Sequence, residues 1–77
     1  RMPRVEIYTT PTCGYCAAAK ALLARKGVPF REIDVSRDPA LRAAMTDRAG
    51  GRRTVPQIFV GAAHVGGYDD LHALDQA

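Results

Sequence analysis

Residues 5–16, VEIYTTPTCGYC, decide the fold of this chain. The first part, Val5 to Thr9, is rich in β-branched and aromatic residues and predicts a short strand. An alanine-rich stretch that begins after Cys16 predicts a helix. The two cysteines, Cys13 and Cys16, therefore stand three positions apart at a strand-to-helix junction. A helix start offers free backbone N–H groups and the positive end of the helix dipole, which stabilise a thiolate, so this spacing suits a dithiol redox site.

Two other interpretations of the cysteine pair are weaker. A structural zinc site usually needs four ligands in paired spacings, and the chain has no second Cys-x-x-Cys. His64 and His72 are the only histidines, and their separation of eight positions is not zinc-finger spacing. A structural disulfide between Cys13 and Cys16 would close so short a loop that it would constrain little of the unfolded chain. Redox chemistry is therefore the better interpretation.

Length predicts one small domain over residues 1–77, because 77 residues leave no room for a second core. The chain is 47% hydrophobic and 25% charged, which is typical of a globular protein. No apolar run approaches the ~20 residues of a membrane span, and no secretory segment is visible. The net charge of +3 comes from basic residues that are not interleaved with the aromatic ones. We therefore expect a cytoplasmic protein with neither a nucleic-acid partner nor a membrane partner.

Strand and helix signals alternate along the chain. Strands are predicted at 5–9, 30–35, 57–60 and around His64–Val65. Helices are predicted from Thr12 or Cys13 to about Lys26, from Asp38-Pro39 to Ala49, and after a cap at Asp69 or Asp70. The inner stripe of the first helix is expected to contain Cys16, Ala19, Leu22 and Leu23. The order β-α-β-α-β-β-α predicts an α/β fold, a four-stranded mixed sheet covered by helices, which is the thioredoxin architecture.

Three sequence blocks in this order resemble the glutaredoxin family, most closely its short bacterial glutaredoxin 3 type. They are Cys13-Gly14-Tyr15-Cys16, Thr54-Val55-Pro56 and Gly66-Gly67-Tyr68-Asp69-Asp70-Leu71. The pair of cysteines alone is a generic signal, whereas the three blocks at this spacing are specific. The resemblance covers nearly the whole chain.

The resemblance implies a role for each cysteine. Cys13, nearer the exposed helix end, corresponds to the nucleophile, and Cys16, one turn into the helix, corresponds to a more buried resolving thiol. The proline of the Thr-Val-Pro triplet is cis in glutaredoxins, so a cis peptide bond is expected before Pro56. The resemblance further implies that the Val55 backbone pairs with the cysteinyl unit of glutathione like a strand edge.

Glutathione carries two carboxylates and one ammonium, so its site needs charges of both signs. By resemblance, Tyr68 and Asp69 stand at a helix N-terminus whose N–H groups take the γ-glutamyl carboxylate, and Asp69 or Asp70 offsets the ammonium. Arg53 is expected to hold the glycyl carboxylate. The predicted glutathione site consists of Tyr15, Arg53, Thr54, Val55, Pro56, Gly67, Tyr68 and Asp69.

The implied activity is that of a glutathione-dependent thiol–disulfide oxidoreductase acting on protein disulfides and protein–glutathione mixed disulfides. It needs no metal or bound cofactor, because glutathione is the cosubstrate, and the chain is expected to act as a monomer on disulfide-containing or glutathionylated proteins. The alternative is a carrier of a [2Fe-2S] cluster held between two subunits by Cys13 and glutathione from each. Gly14, where the most familiar dithiol site has proline, leaves this open, whereas Cys16 is replaced in dedicated carriers. A thioredoxin is disfavoured because the chain has no tryptophan.

Overall fold

Seven elements build the fold in the computed structural model, which describes residues 3–77. The strands are β1 (Val5–Thr9), β2 (Arg31–Asp34), β3 (Gln57–Val60) and β4 (Ala63–Gly66). The helices are α1 (Gly14–Arg25), α2 (Pro39–Arg48) and α3 (Tyr68–Gln76). The strands form one sheet in the order β2-β1-β3-β4, in which β1 and β2 are parallel and the other neighbours are antiparallel. The predicted thioredoxin fold is confirmed.

The sheet is covered on both faces because the side chains of each strand alternate between them. One face packs against α1 and α3, and its buried core consists of Val5, Ile7, Ala19, Leu22, Leu23, Ile58 and Leu71. The other face packs against α2, and its buried core consists of Tyr8, Val35, Met45, Ala49 and Phe59. The rings of Tyr8 and Phe59 meet edge to face with centroids 5.6 Å apart, an arrangement that aromatic pairs favour.

Helix α1 begins where the sequence predicts and buries the predicted face. Cys13 is its N-cap, and its buried positions are Cys16, Ala19, Leu22 and Leu23. These positions recur every three or four residues, so they lie on one side of the helix and dock it on the sheet. Gly27, with φ of 68°, lets the chain leave the helix through the left-handed conformation.

Helix α2 also begins as predicted. Asp38 is its N-cap and accepts a backbone N–H of the first turn at 3.0 Å, while Pro39 is the first helical residue. After the helix, Gly50 and Gly51 have φ values of 65° and 101°, which release the chain into the loop before β3.

Three predicted ends differ from the structure by single residues. β2 lacks the predicted terminal residues Phe30 and Val35, and α2 ends at Arg48 rather than at Ala49. Differences of this size are usual because the ends of elements fray. Residues 1 and 2 lie outside the described residues. The predicted single domain and the predicted lack of a secretory segment both include these two residues. From residue 3 to residue 77, no helix combines the length and apolar character that crossing a bilayer requires.

The predicted cap of α3 is wrong. The N-cap is Gly67, and the helix begins at Tyr68, so Asp69 and Asp70 already belong to its first turn. Asp70, within the first turn, gives the backbone N–H of the N-cap a partner, because its carboxylate accepts the Gly67 N–H at 2.9 Å. The carboxylate three positions after the N-cap thus supplies the side-chain acceptor that a glycine cap lacks.

Candidate active site

Cys13 lies at the junction of β1 and α1, where its sulfur caps the helix. Its Sγ accepts the backbone N–H of Cys16 at 3.1 Å, in the place usually taken by an oxygen of serine or aspartate. The Cys13 thiol also donates to the carbonyl oxygen of Val55 at 3.7 Å. The side chain is partly exposed, so the sulfur is open to a reactant. A sulfur at a helix start faces the positive end of the dipole, which favours negative charge.

Cys16 lies one turn further into α1 and is only 1% exposed. Burial, followed by the hydrogen bond with Cys13, raises the pKa of the Cys16 thiol to about 12. The backbone of Thr10 and the charge of Lys20 lower this pKa, but their effects are weaker. Cys16 is therefore a neutral thiol at physiological pH, because a buried site disfavours the thiolate. One cysteine of the pair is accessible and the other is not.

A cleft of about 270 Å³ opens beside the Val55 carbonyl that contacts Cys13. It is lined by Tyr15, Arg52, Thr54, Val55, Pro56, Gly67, Tyr68, Asp69 and Asp70. Seven of the eight residues predicted to bind glutathione are in this set, and the exception is Arg53. The Val55–Pro56 peptide bond is cis, as predicted. Segments from α1, the loop before β3 and the start of α3 thus meet in one place.

Two tyrosines form one wall of the cleft. Tyr15 of α1 and Tyr68 of α3 stack with ring centroids 6.1 Å apart and an interplanar angle of 29°. His72, one turn after Tyr68, continues the row at a centroid distance of 5.9 Å. Tyr15 is 65% exposed, so its ring offers a flat apolar face to a ligand.

Charges of opposite sign beside the cleft belong to Arg52 and Asp70. Arg52 Nη1 lies 3.1 Å from Asp70 Oδ2, and the Gly67 N–H donates to the same oxygen at 2.9 Å. The Gly67 hydrogen bond, followed by that of Arg52, lowers the pKa of Asp70 below its ordinary value, so the carboxylate is ionised at neutral pH. Both charged side chains are about half exposed, which means that water screens them.

Arg52, and not Arg53, lines the cleft. The Arg53 carbonyl oxygen accepts a hydrogen bond from the Arg42 side chain of α2 at 2.9 Å, which ties this part of the loop to the other side of the sheet. Two adjacent arginines look alike in the sequence, so the choice between them needed the structure. Asp70, which was predicted only as an alternative to Asp69 for the ammonium, also lines the cleft, and its position three residues after Gly67 is a capping signal.

The side chains of residues 3–77 can also be compared with the ligand groups that a metal site needs. No group of three or more His, Cys, Asp and Glu side chains within residues 3–77 is arranged to hold a metal ion. Cys13 and Cys16 are both free thiols.

Comparison with known proteins agrees with the cysteine pair and the fold. The family model described as Glutaredoxin matches residues 5–65. Glutaredoxin 3 of Escherichia coli K12 is 57% identical over 74 residues, which cover 96% of this chain and 88% of that protein. The solution structure of a Brucella melitensis glutaredoxin has 63% identity and a TM-score of 0.85, over 97% of this chain and 80% of that one. A buckwheat glutaredoxin–glutathione complex has 28% identity and a TM-score of 0.86, over 96% of this chain and 69% of that one.

We expect Gly66→Ala to separate Arg52 from Asp70. A Cβ at Gly66 would overlap the Asp70 carboxylate and lie 2.8 Å from Arg52 Nη1, so both side chains must shift from their present positions. The pKa of Asp70 should then rise towards its ordinary value, which an NMR titration of the carboxyl group measures. An unchanged pKa would contradict the assigned contacts.

Gly51→Ala is the matched control for this substitution. Gly51 has φ of 101°, close to the 119° of Gly66, but open space surrounds it. Both substitutions should lower the free energy of unfolding by about 1 kcal/mol or more, because alanine disfavours positive φ. Only Gly66→Ala should change the Asp70 titration.

Proposed function

Because the chain belongs to the glutaredoxin family, we propose that Cys13 is the nucleophile and Cys16 the resolving thiol of its reaction. The chain is a glutathione-dependent thiol oxidoreductase. One observation carries the division of roles: the accessible Cys13 sulfur accepts the Cys16 N–H at 3.1 Å, whereas the Cys16 thiol is buried one turn deeper. The Cys16 N–H, which donates to this capping sulfur, also stabilises negative charge on the sulfur when it attacks.

On a protein–glutathione mixed disulfide, the Cys13 thiolate attacks the glutathione sulfur. The substrate protein leaves as a thiolate and takes up a proton, while Cys13 and glutathione become joined by a disulfide bond. A second glutathione thiolate attacks the glutathione sulfur of that bond and restores the Cys13 thiolate. The net reaction converts one mixed disulfide and one glutathione thiol into one protein thiol and one glutathione disulfide.

On a protein disulfide, both cysteines take part. Cys13 first forms a mixed disulfide with one substrate sulfur, and Cys16 then attacks the Cys13 sulfur. The Cys16 proton passes to the leaving substrate sulfur, so the substrate is released with two thiols and the enzyme retains a Cys13–Cys16 disulfide that two glutathione molecules reduce. The raised pKa of Cys16 limits this second step, because the neutral thiol is a poor nucleophile.

The residues around the cleft support a binding mode for each charged end of glutathione. The first turn of α3, at Tyr68 and Asp69, has backbone N–H groups suited to the γ-glutamyl carboxylate. Asp70 supplies a negative charge for the ammonium, and Arg52 supplies a positive charge for the glycyl carboxylate. The Val55 carbonyl lies 3.7 Å from the reactive sulfur, which supports pairing of this backbone with the cysteinyl unit.

We also propose the substrates, the domain organisation, the location and the oligomeric state of the chain. Protein disulfides and glutathionylated proteins are the substrates, residues 1–77 form one domain, and the chain acts as a cytoplasmic monomer. The single sheet with a core on each face supports the description as one domain, and the open cleft supports access of a disulfide substrate. The [2Fe-2S] alternative stays a prediction. Because Cys16 is buried, each chain offers one accessible thiolate, and glutathione would have to supply the other two cluster ligands.

Cys13→Ser is expected to abolish activity on every disulfide substrate, because the chain then has no accessible thiol. Cys16→Ser should keep turnover of a small glutathione mixed disulfide and lose direct reduction of a protein disulfide. Both rates can be followed by coupling glutathione disulfide formation to its reductase. An active Cys13→Ser variant, or a Cys16→Ser variant inactive on the small substrate, would overturn the assigned roles.

Release of glutathione from its mixed disulfide with Cys13, by attack of Cys16, should accelerate about tenfold per pH unit between pH ~6 and ~9. A raised pKa keeps Cys16 protonated throughout this range, so each unit increases its small thiolate fraction by that factor. Cys13 carries no proton in the mixed disulfide, but burial, the largest cause of the shift, remains. Stopped-flow measurement of glutathione release tests this. A plateau near the ordinary thiol value of ~8.5 would show that burial does not control the step.

Arg52→Ala should raise the KM for a glutathione mixed disulfide about two- to fivefold, as expected for one half-exposed charge. Arg53→Ala is the matched control, because it removes the same charge one position along, outside the cleft lining. Its KM should change less, and kcat should be similar in both variants. A larger effect of Arg53→Ala would restore Arg53 as the carboxylate partner.

A further inference from the structure

Gln57, the first residue of β3, carries a polar side chain that is completely buried, with 0% of its surface exposed. Its amide Nε2 donates to Thr54 Oγ1 at 3.2 Å. Its Oε1 lies 2.7 Å from His64 Nε2. Throughout residues 3–77, every buried side-chain nitrogen and oxygen has a hydrogen-bond partner. Burial of an amide is tolerated when it is paired in this way, so Gln57 links a loop residue to a residue of β4.

The two hydrogen bonds of Gln57 have a defined direction. Because the amide nitrogen donates to Thr54, the amide oxygen is the atom that faces His64, and the ring must donate from Nε2. Thr54 Oγ1 then acts as an acceptor and keeps its own O–H proton for another partner. If His64 instead accepted at Nε2, the amide would turn over and Thr54 would donate its proton to Gln57.

His64 is exposed, but packing holds its ring in place. The ring stacks on Phe59 with centroids 4.9 Å apart and an interplanar angle of 25°, and the two residues are register partners across β3 and β4. The Arg48 guanidinium carbon lies 4.0 Å from the centroid of the Phe59 ring. His64 is therefore a fixed donor for the buried amide rather than a freely rotating surface side chain.

Thr54 lines the cleft in which the proposed function places glutathione. We propose that Gln57 is a positioning residue: held by His64, it orients the Thr54 hydroxyl so that its proton is donated to an oxygen of the bound glutathione unit. The inference rests on the proposed function, because it names the oxygen-bearing ligand of the same cleft. Gln57 itself touches no reacting atom, and its effect on binding passes through Thr54.

The kinetic test uses a small glutathione mixed disulfide as substrate. Gln57→Leu keeps the bulk of the side chain and removes both hydrogen bonds, and it should raise KM about three- to tenfold, the range of one net hydrogen bond. Thr54→Val should raise KM by a similar factor. The double variant should show the same KM as either single variant, because the two changes remove one interaction. The kcat should stay within about twofold of the wild type, since the bond is made to bound substrate as well as in the transition state.

Thr54→Ser keeps the hydroxyl, so its KM should lie well below that of Thr54→Val. An unchanged KM in Gln57→Leu would overturn the proposal. If the KM increases of the two single variants multiplied in the double variant, Gln57 would act independently of Thr54, and the proposal would also be overturned. If Gln57→Leu lowered the stability and left KM unchanged, Gln57 would have only a structural role, and the proposal would be overturned.

A spectroscopic test on the wild-type protein is independent of the variants. Nitrogen-15 NMR above pH ~8, where an ordinary histidine is neutral, reports which ring nitrogen carries the proton. His64 should carry it on Nε2, and His72, whose ring has no hydrogen-bond partner among residues 3–77, is the internal reference. A proton on Nδ1 of His64 would overturn the proposal even if Gln57→Leu did not fold.

Failure of the proposed function and failure of the role of Gln57 would give different results. If the wild-type protein did not turn over glutathione mixed disulfides, the proposed function would be wrong, while the His64 tautomer would still test the direction of the hydrogen bonds from His64 through Gln57 to Thr54. If turnover is normal and Gln57→Leu leaves KM unchanged, only the role of Gln57 is lost.

Discussion

The hydrogen bond from the Cys16 N–H to the Cys13 sulfur is the interaction on which the site depends. It exists because a strand ends and a helix begins within a few residues, so that sulfur takes the position of a capping oxygen. The same turn sets the depth of the second cysteine: the residue three positions on faces the sheet, and burial keeps its thiol neutral. Helix capping and burial thus make two identical side chains chemically different.

The sheet topology brings the rest of the site to this helix start. β3 runs antiparallel to β1, so its first residue, Gln57, pairs with Tyr8 near the end of β1. β4 returns antiparallel to β3 and ends with Gly66 opposite Ile58, so α3 begins at the same edge. The loop before β3 therefore contacts the reactive cysteine although 42 positions separate them.

Features with a local physical cause could be predicted from the sequence. The Asp38 cap of α2 follows from capping chemistry, and the buried stripe of α1 follows from helical periodicity. The choice between Arg52 and Arg53 could not be predicted, because it depends on how α2 ties down the loop. Gln57 was predicted only as a strand residue, since nothing in a short strand pattern shows that a buried position will hold a paired polar group.

The polar groups of the cleft differ in how firmly the fold holds them. The Arg52–Asp70 pair is half exposed, and such pairs contribute little because water screens them and their side chains must be ordered. The N–H groups at the start of α3 are already fixed by the helix, so binding a ligand to them costs less entropy. Gln57 does not line the cleft and acts through its hydrogen bond to Thr54. It is buried, where an unpaired polar atom would cost free energy. Recognition in this cleft therefore depends more on how three elements meet than on any single charge.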